Sequence, residues 1–516
     1  MKKVLSILLA LAVTLTMPVG AGLQFAYAGT VGTAISTADD LKAMENNPSG
    51  KYYLAKDIQV PANLLLFPNE KKPFTGTLDG NGHKLNGYKY ETVGFTENVA
   101  LFKNAKGATF KNLTMSNVDI NLGDGGSASG LVGESTDCSY INVKTSGTIK
   151  VKNRGVEGHD MCNAAGFVDW DMGNVTFKNC TNGINFEITH IGQYAPRVSG
   201  IINGASGGSI TGCTNKGNIT VTHTPNKDWG SSQCDAAGIA VSYLGSKAVK
   251  DCKNTGNISI IGKKATLAYE FVPMVAGILV DSQSNLVSCT NSGKLTVTNS
   301  AKGNFGANVS GVICEINGVK NFVSKCSNSG TISYTGVPAG RIGEIVLAGV
   351  AGSVVKVDQS YNKGAISVKS KIKANAGGVV GFCADMRNCY NTGAVSHKGT
   401  GFEGGLAAEA DVLGGYVKNN YSTGKVTGSS NRNLFRGQLI GYYSGGYDVM
   451  KRNIFNNYYK TSGKPYGGAN YDWKPWLATA KKVSSINAKS CSTLSSKVWT
   501  YSSKYKRLVL KNNKEK

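Results

Sequence analysis

The sequence predicts an all-β solenoid, in which short parallel strands stack coil upon coil. Three observations carry this prediction: a motif repeated in fixed order, apolar side chains that alternate beside it, and a composition suited to short strands. The 516 residues include 66 glycines but only 11 prolines, and 17% of the residues are charged. Abundant Gly, Asn, Ser and Thr among β-branched residues are typical of strands joined by tight turns.

A cysteine followed by Asn-x-Gly recurs along the chain. One copy is the stretch CYNTGAVSH at 389–397. Upstream of each copy lies a run of small residues, glycine and apolar residues, such as AGGVVGF at 376–382. Successive anchors are 29 to 39 residues apart, and this variable spacing around a fixed motif indicates a solenoid with loops of different length. The equivalent anchors are Cys180, Cys213, Cys252, Cys289, Cys326, Ser360, Cys389 and Asn420.

Apolar residues hold fixed places around each anchor. Pairs such as Ile219/Val221 and Ile366/Val368 follow it with the period of a half-buried strand. Side chains on one face of a straight strand are an even number of residues apart. The inward residue before the anchor and those after it are an odd number apart, so we expect a corner just before the anchor. We expect a second corner at Asn-x-Gly, since both residues tolerate positive φ. Three residues before the anchor stand Phe177, Ile210, Val249, Leu286, Val323, Val357, Met386 and Val417.

The upstream run resembles the GLUG motif, named for Gly-Leu-x-Gly, as in SGLVGE at 129–134. The motif is known from bacterial surface proteins, among them immunoglobulin-A proteases and large adhesins. The resemblance covers the repeats between 128 and 428, and the entry and closing segments are similar to those of such domains. It implies a right-handed parallel β-helix. We expect about a dozen coils, with capping segments at both ends. It implies little about activity, because one coil carries many functions.

Four segments follow from these patterns. Residues 1–28 are predicted to be a signal peptide, with basic Lys2 and Lys3, an apolar run and a small-x-small cleavage site. Residues 29–127 would form the N-terminal cap and opening coils, 128–450 the repeats, and 451–516 a basic, aromatic-rich C-terminal cap. We expect a short helix near 36–45, with Ser36 as its N-cap.

The chain is therefore expected to be secreted or extracellular, either released or retained without a covalent bond at the bacterial cell surface. No later apolar run approaches the ~18 residues that a membrane-spanning helix needs. The sequence does not indicate an oligomeric state.

Twelve cysteines in an exported chain are usually a disulfide framework. Seven of them occupy the anchor position or its looser copy at Cys138, which favours small inward thiols in a tight corner. Disulfides between coils are the alternative, whereas a metal site is disfavoured because no C-x-x-C spacing occurs. We also expect a hydrogen-bonded stack of Asn182, Asn215, Asn254, Asn291, Asn328, Asn362 and Asn391.

The sequence assigns no catalytic, cofactor-binding or metal-ligating residue, and no cofactor. Two carboxylate pairs are weak candidates for acid–base chemistry: Asp169 and Asp171, with Trp170 on the opposite face, and Glu409 with Asp411. Such pairs are more often solvated loop ends. The five histidines (His83, His159, His190, His223 and His397) look scattered, and no H-E-x-x-H motif occurs.

Charge is the more informative feature. Of the formal charge of +24, residues 451–516 carry 15 Lys and Arg against Asp472 and Glu515. A basic surface with interleaved aromatic residues suits an anionic polysaccharide or cell-wall polymer, and nucleic acid is not expected outside the cell. Lys504, Lys506 and Arg507 are the candidates for retention, or these cations serve only the cap. The sequence thus favours a non-catalytic, adhesin-like binding protein, and a polysaccharide lyase or glycoside hydrolase is the alternative.

Overall fold

The computed structural model describes residues 32–155, 161–192, 196–225, 231–263, 268–300, 303–336, 344–411, 414–428, 434–444, 453–469 and 479–515. The predicted signal peptide lies outside these residues. The chain is 59% strand and 2% helix, and it forms a parallel β-solenoid of about ten turns. The predicted all-β parallel solenoid is confirmed.

Two parallel sheets run along the solenoid, with side chains of both facing one interior. The described strands of the first sheet are Thr33–Ile35, Lys51–Leu54, Thr77–Asp79, Phe102–Lys106, Thr109–Lys111, Val132–Thr136, Ser139–Ile141, Val168–Lys178, Ile202–Thr211, Ala240–Tyr243, Val249–Lys250, Leu279–Ser282, Leu286–Val287, Ile313–Ile316, Phe322–Ser324, Ala351–Asp358, Val380–Arg387, Ala407–Ala410, Val417–Lys418, Ile440–Tyr443, Ile454–Phe455 and Tyr466–Ala469.

The second sheet follows the Asn-x-Gly side of each coil. Its described strands are Ile58–Gln59, Lys84–Asn86, Lys89–Thr92, Thr96–Val99, Thr114–Leu122, Gly126–Ser129, Lys144–Lys152, Cys162–Ala165, Thr181–Gly192, Arg197–Ser199, Thr214–Asn215, Ile219–Pro225, Ser231–Ala237, Lys253–Asn254, Ile258–Gly262, Ala268–Ala276, Thr290–Asn291, Leu295–Asn299, Gly303–Phe305, Ala307–Ser310, Ser327–Asn328, Ile332–Gly336, Ile345–Ala348, Tyr361–Asn362, Ile366–Gly377, Tyr390–Asn391, Val395–Gly404, Tyr421–Ser422, Val426–Gly428, Leu434–Gly437, Asn457–Tyr459 and Ala480–Lys482. An antiparallel pair, Trp499–Ser502 and Arg507–Leu510, follows near the C-terminus.

A short helix, Ala38–Ala43, continues into a 3-10 turn, Met44–Asn46, and buries Leu41 against the core. The predicted helix is present, but Ser36 is not its N-cap. Thr37 accepts a hydrogen bond from the backbone N–H of Asp40, and the Asp40 carboxylate accepts from the N–H of Thr37 in return. This reciprocal capping box needs the acidic residue three places after the cap, which selects Thr37.

The apolar residues that precede the anchors form one interior column. Leu286 pairs in register with Val249 on one side and Val323 on the other, and all eight predicted members are fully buried. The pairs after the anchor, such as Ile258/Ile260 and Leu295/Val297, stack in register in the second sheet. The alternation that indicated half-buried strands is therefore confirmed.

The corner before each anchor is present, and its backbone adopts the left-handed conformation at one residue. The residue directly before the anchor has φ between +46° and +68° in eight successive repeats, from Asn179 to Asn419. Beyond this residue the Cys326 thiol donates to the carbonyl of Ser324 at 3.4 Å, and the Ser360 hydroxyl donates to Asp358 at 2.9 Å. The anchor is thus a small donor that bridges the corner, and all twelve cysteines are buried and free, as predicted.

The predicted corner at Asn-x-Gly is present, since a strand such as Thr290–Asn291 ends there and Leu295–Asn299 begins after it. The positive φ expected for this corner is wrong. Its glycines, such as Gly293, lie outside the left-handed region. They are required for a different reason. A Cβ on Gly293 would lie 1.9 Å from the carbonyl oxygen of Gly256 in the adjacent coil, so the backbones pass too closely for any side chain.

The predicted asparagine stack is confirmed. From Asn182 to Asn391, each side-chain amide donates to the side-chain oxygen of the next asparagine at 2.7–2.9 Å. In most coils the same amide also donates to the carbonyl of its own Asn-x-Gly glycine, as Asn291 does to Gly293 at 3.0 Å. The buried amides therefore have partners along the axis and within the coil, which is what a dry interior demands.

The two halves of the repeated motif meet at this stack. The glycine of the upstream run lies under the asparagine of its own repeat: a Cβ on Gly311 would lie 2.7 Å from the side chain of Asn328 and 1.9 Å from the Gly349 carbonyl oxygen. Glycine before the apolar run and asparagine after the anchor thus occupy one crowded position. This contact explains why the two sequence elements recur together.

Two histidines described above as scattered meet inside the solenoid. The Nδ1 atoms of His190 and His223 are 2.8 Å apart, and the rings stack with centroids 4.9 Å apart. Burial, followed by the charge of His190, lowers the pKa of His223 to about 3. Burial, followed by the charge of Arg436, lowers the pKa of His397 to about 4. The imidazoles of His223 and His397 therefore stay neutral in the folded protein at mildly acidic pH.

Replacing His223 with asparagine is expected to reduce the loss of stability in acid. An unfolded imidazole takes up a proton below about pH 6.5, whereas folded His223 does not until about pH 3, so stability is lost as the pH falls below 6.5. The loss is at most about 1.4 kcal/mol per pH unit for each such histidine. Asn299 already occupies the same interior column, two coils on, so asparagine fits there. Thermal melts between pH 7 and 4.5 measure the difference.

Comparing the wild type with His223→Asn cancels the contributions of all other titratable groups to the pH dependence of stability. Burial raises the pKa of Asp235 and of Glu403 to about 7, and these two carboxyls cost stability as the pH rises. Parallel pH curves for the wild type and His223→Asn would contradict the prediction.

Candidate functional site

One outward column of the second sheet changes character along the solenoid. Directly after the anchor it carries Thr214, Lys253, Thr290 and Ser327, and then tyrosine in each of the next four coils. We call Tyr361, Tyr390, Tyr421 and Tyr458 the tyrosine column; they stack in register, and centroid distances of 4.8 and 4.9 Å separate the first three rings.

The C-terminal segment, residues 479–515, lies on the tyrosine column. Trp499 packs on the rings of Tyr390 and Tyr421, with centroids 5.9 and 5.5 Å away, and Leu508 and Leu510 belong to the same buried cluster. The Tyr421 hydroxyl donates to the Leu508 carbonyl at 2.6 Å. The segment is therefore held on the side of the later coils by its own small core.

A buried carboxylate fastens the end of this segment. Glu515 has no exposed side-chain area, and it accepts from Arg507 at 2.6 Å and from the Tyr390 hydroxyl at 2.5 Å. The Lys363 ammonium lies 3.6 Å from the second carboxylate oxygen. Arg507, which the sequence grouped with Lys504 and Lys506 as a surface cation, thus belongs to the docking contact.

Where the C-terminal segment ends, a groove of about 810 Å³ opens along the same column. Asn513 closes one end, and its amide donates to the carbonyls of Gln359 and Cys326 at 2.9 and 3.2 Å. We call this the lysine groove. Its lining residues are Gly212, Thr214, Asp251, Lys253, Asn254, Thr255, Ser288, Thr290, Asn291, Ser292, Lys325, Ser327, Ser329, Tyr361, Lys363, Asn512, Asn513 and Lys514.

The chemistry of the lysine groove is cationic and hydroxyl-rich. Four lysines line it against one carboxylate, Asp251, and Thr and Ser hydroxyls from successive coils form its floor. Lys253 and Lys514 are exposed. Ammonium groups above a row of hydroxyls suit an extended anionic chain that also carries hydroxyl groups. The groove offers binding contacts along several coils rather than a single acid–base pair.

The structure does not join Asp169 and Asp171 into one site. Asp169 accepts from the amide of Asn203 at 2.7 Å, and burial raises the pKa of this carboxyl. Asp171 is fully buried and accepts from the Ser135 hydroxyl and from the Gly173 N–H. Both carboxylates thus have separate structural partners.

Glu409 does meet groups from other coils. Burial, and next the charge of Glu344, raise the pKa of the Glu409 carboxyl. Lys373 lies 2.7 Å from Glu344 and 4.5 Å from the centre of the Phe402 ring. Glu344, Lys373 and Glu409 of neighbouring coils therefore lie close enough to interact electrostatically. Asp411, the partner that the sequence indicated, also raises the pKa of Glu409, by less than Glu344 does.

No group of three or more His, Cys, Asp or Glu side chains in the described part of the chain is arranged to hold a metal ion. His83 lies 3.4 Å from Asp57 in an opening coil, and His159 falls outside the described residues. Sequence reasoning missed the lysine groove, since its lining comes from several coils and from the C-terminal segment. The signal was the change from Thr and Ser to Tyr after the anchor.

Comparison with known proteins gives partial matches. The family model of the M26 IgA1-specific metallo-endopeptidase N-terminal region matches residues 31–147. Halomucin of Haloquadratum walsbyi is 29% identical over 163 residues, which are 27% of this chain and 2% of halomucin. No solved structure matches the chain. Among the described residues, no helix is long and apolar enough to cross a membrane. The chain is thus similar to each of these proteins over a limited part of its length.

Proposed function

We propose that the protein is a non-catalytic, adhesin-like binding protein, secreted or held at the bacterial cell surface, whose lysine groove binds an anionic polysaccharide. The observation that carries the proposal is that four lysines and a floor of hydroxyl groups line one groove. The matched family model describes the N-terminal region of a peptidase family, which agrees with a carrier solenoid.

The spacing of the cations suits a polymer. Lys253 and Lys325 belong to coils two apart, which are separated by about 10 Å along the axis at the usual distance between strands. One exposed lysine contributes little in water, but several that contact one polyanion release its counterions together. Binding should therefore be strong at low salt and weak at high salt.

The double variant Lys253→Gln, Lys325→Gln is expected to bind a sulfated or carboxylated polysaccharide at least 10-fold more weakly at 50 mM salt. Two cation contacts are lost, so the slope of log affinity against log salt should also fall by about one to two. Calorimetry with heparin and with polygalacturonate, at four salt concentrations, measures both quantities.

The matched control is Lys51→Gln, Lys56→Gln, which removes the same charge from exposed positions of the opening coil. If the control weakens polysaccharide binding equally, only net charge matters, and the proposal that the lysine groove is the binding site is contradicted. The same variants test retention in the producing cell. Release of wild-type protein from the cell fraction by high salt, and loss of the groove variant to the medium at low salt, would support surface retention.

A polysaccharide lyase or glycoside hydrolase is the second candidate, and the cluster of Glu344, Lys373 and Glu409 favours it. Raised carboxyl pKa and a nearby cation are features of acid–base sites. The polysaccharides from the binding experiment are therefore also assayed for released reducing or unsaturated sugars. Release that requires Glu409 would replace the binding-only proposal.

A further inference from the structure

A second groove spans the opening coils and the first of the repeats, far along the chain from the lysine groove. Its volume is about 390 Å³, and Trp170 and Met172 form part of its wall. These two residues alternate with Asp169 and Asp171 along one strand. Because successive side chains of a strand point to opposite sides, Trp170 and Met172 point outward where the two aspartates are buried. We call this cleft the Trp170 groove.

The indole of Trp170 is held against the sheet. Trp170 pairs in register with Gly204 of the next coil, and a Cβ on Gly204 would lie 2.0 Å from the six-membered ring of the indole. The absence of a side chain at Gly204 therefore lets the ring rest directly on the backbone. A rigid aromatic surface that lines a groove is the usual contact for the apolar face of a sugar ring.

Met172 is projected by a bulge that Asp171 supports. The register with the next coil shifts between Asp171 and Asn174, and the Asp171 carboxylate accepts from the Gly173 N–H at 2.8 Å. Asp137 completes the support by accepting from the Asn174 N–H at 2.7 Å. Met172 is 70% exposed as a result.

The polar side of the groove carries carboxylates. Glu134 lies next to Trp170 in register, and the Asn98 amide donates to its carboxylate. Asn98 is itself fixed by a hydrogen bond of 3.0 Å from the Ser127 hydroxyl. Glu70 also lines the groove, and Lys106 is its one lysine. Two carboxylates accept hydrogen bonds and repel anions, which reverses the preference of the lysine groove.

We propose that the Trp170 groove binds an uncharged or amino-bearing sugar unit. The ring stacks on the indole, Met172 borders it, and the Glu134 and Glu70 carboxylates accept from its hydroxyl or ammonium groups. The volume lies within the 300–1,000 Å³ range of small-ligand sites. This proposal does not rest on the lysine groove, and the two grooves together would let the solenoid hold two chemically different glycans.

Calorimetry with three hexasaccharides tests the proposal: chitosan hexamer, cellohexaose and hexagalacturonate. We expect the full chain to bind one or both of the first two. The Trp170→Ala variant should weaken that binding at least 10-fold, and Trp170→Phe should recover part of it, because a smaller ring still stacks. Glu134→Gln keeps the shape of the groove and should weaken the chitosan hexamer more than cellohexaose.

Two controls make the result specific. The double variant Lys253→Gln, Lys325→Gln should leave binding to the Trp170 groove unchanged, so this proposal and the lysine groove can fail separately. Unchanged thermal melting points would show that the Trp170 variants fold. The proposal is overturned if neither the chitosan hexamer nor cellohexaose binds, or if Trp170→Ala binds as tightly as the wild type.

Discussion

Replacing Gly311 with alanine is expected to lower the free energy of unfolding by about 3 kcal/mol or more. A methyl group there would lie 1.9 Å from the Gly349 carbonyl oxygen and 2.7 Å from the Asn328 side chain. The first contact is with backbone, and the second is with a member of the asparagine stack, so neither neighbour can rotate away. Relief of the clash requires two coils to separate, which breaks hydrogen bonds of both the strands and the asparagines.

The matched control is Gly94→Ala, where an added Cβ would meet nothing within 4 Å. Both substitutions lower the backbone freedom of the unfolded chain equally, so the difference between them isolates the clash. Circular dichroism during heating and in urea measures the two midpoints. A melting point for Gly311→Ala within about 2 °C of the control would contradict a rigid contact at this position.

The repeating part of the fold could be predicted from the sequence because equivalent residues of each coil are buried in the same way. Phe177, Val249 and Leu286 stand at one distance from their anchors, so a single buried column accounts for all of them. The asparagine stack follows in the same way, since amides repeated at one position can satisfy each other along the axis. Such periodic contacts are visible in one chain without any knowledge of the loops.

Other features could not be predicted, because they depend on contacts that do not repeat. The glycine of Asn-x-Gly suggested positive φ, but close backbone packing at Gly293 is what excludes a side chain. In the stretch FVDWDMG, the acidic residues looked like the exposed chemistry. The structure buries Asp171 and exposes Met172 instead. Which face of an alternating strand points inward is decided by neighbouring coils, and the local sequence does not contain that information.

The C-terminal segment is the clearest case, because its position depends on side chains distant in the sequence, such as Tyr390, which precedes its partner Glu515 by 125 residues. The basic, aromatic composition of 451–516 predicted a cap at the end of the solenoid. Of its described residues, 453–469 add strands to the two sheets, and 479–515 lie against the tyrosine column through Trp499 and the Glu515 contacts. Whether the segment also covers the end of the solenoid stays a prediction, since residues 470–478 lie outside the described part.

The double variant Tyr390→Ser, Tyr421→Ser is expected to release the C-terminal segment while the coils stay folded. It copies Ser327, which occupies the same column beneath the open groove. Each substitution removes a fully buried ring that packs on Trp499, at a cost of about 3 kcal/mol or more, and Glu515 and the Leu508 carbonyl lose their hydroxyl donors. The strands beneath keep their backbone hydrogen bonds, since the tyrosines point outward from the second sheet.

Limited trypsin digestion separates this outcome from general unfolding. We expect cleavage within 479–515 to be at least 10-fold faster in the double variant, while the rest of the chain resists cleavage and keeps its strand signal in circular dichroism. Tyr501→Ser is the control, because Tyr501 lies in the same segment but is 54% exposed. Equal cleavage rates in all three proteins would mean that the tyrosine column does not hold the segment. Release should also remove Lys514 from the lysine groove and uncover the next coils. The affinity of the double variant for a long polyanion then shows whether the lost cation or the longer groove has the larger effect.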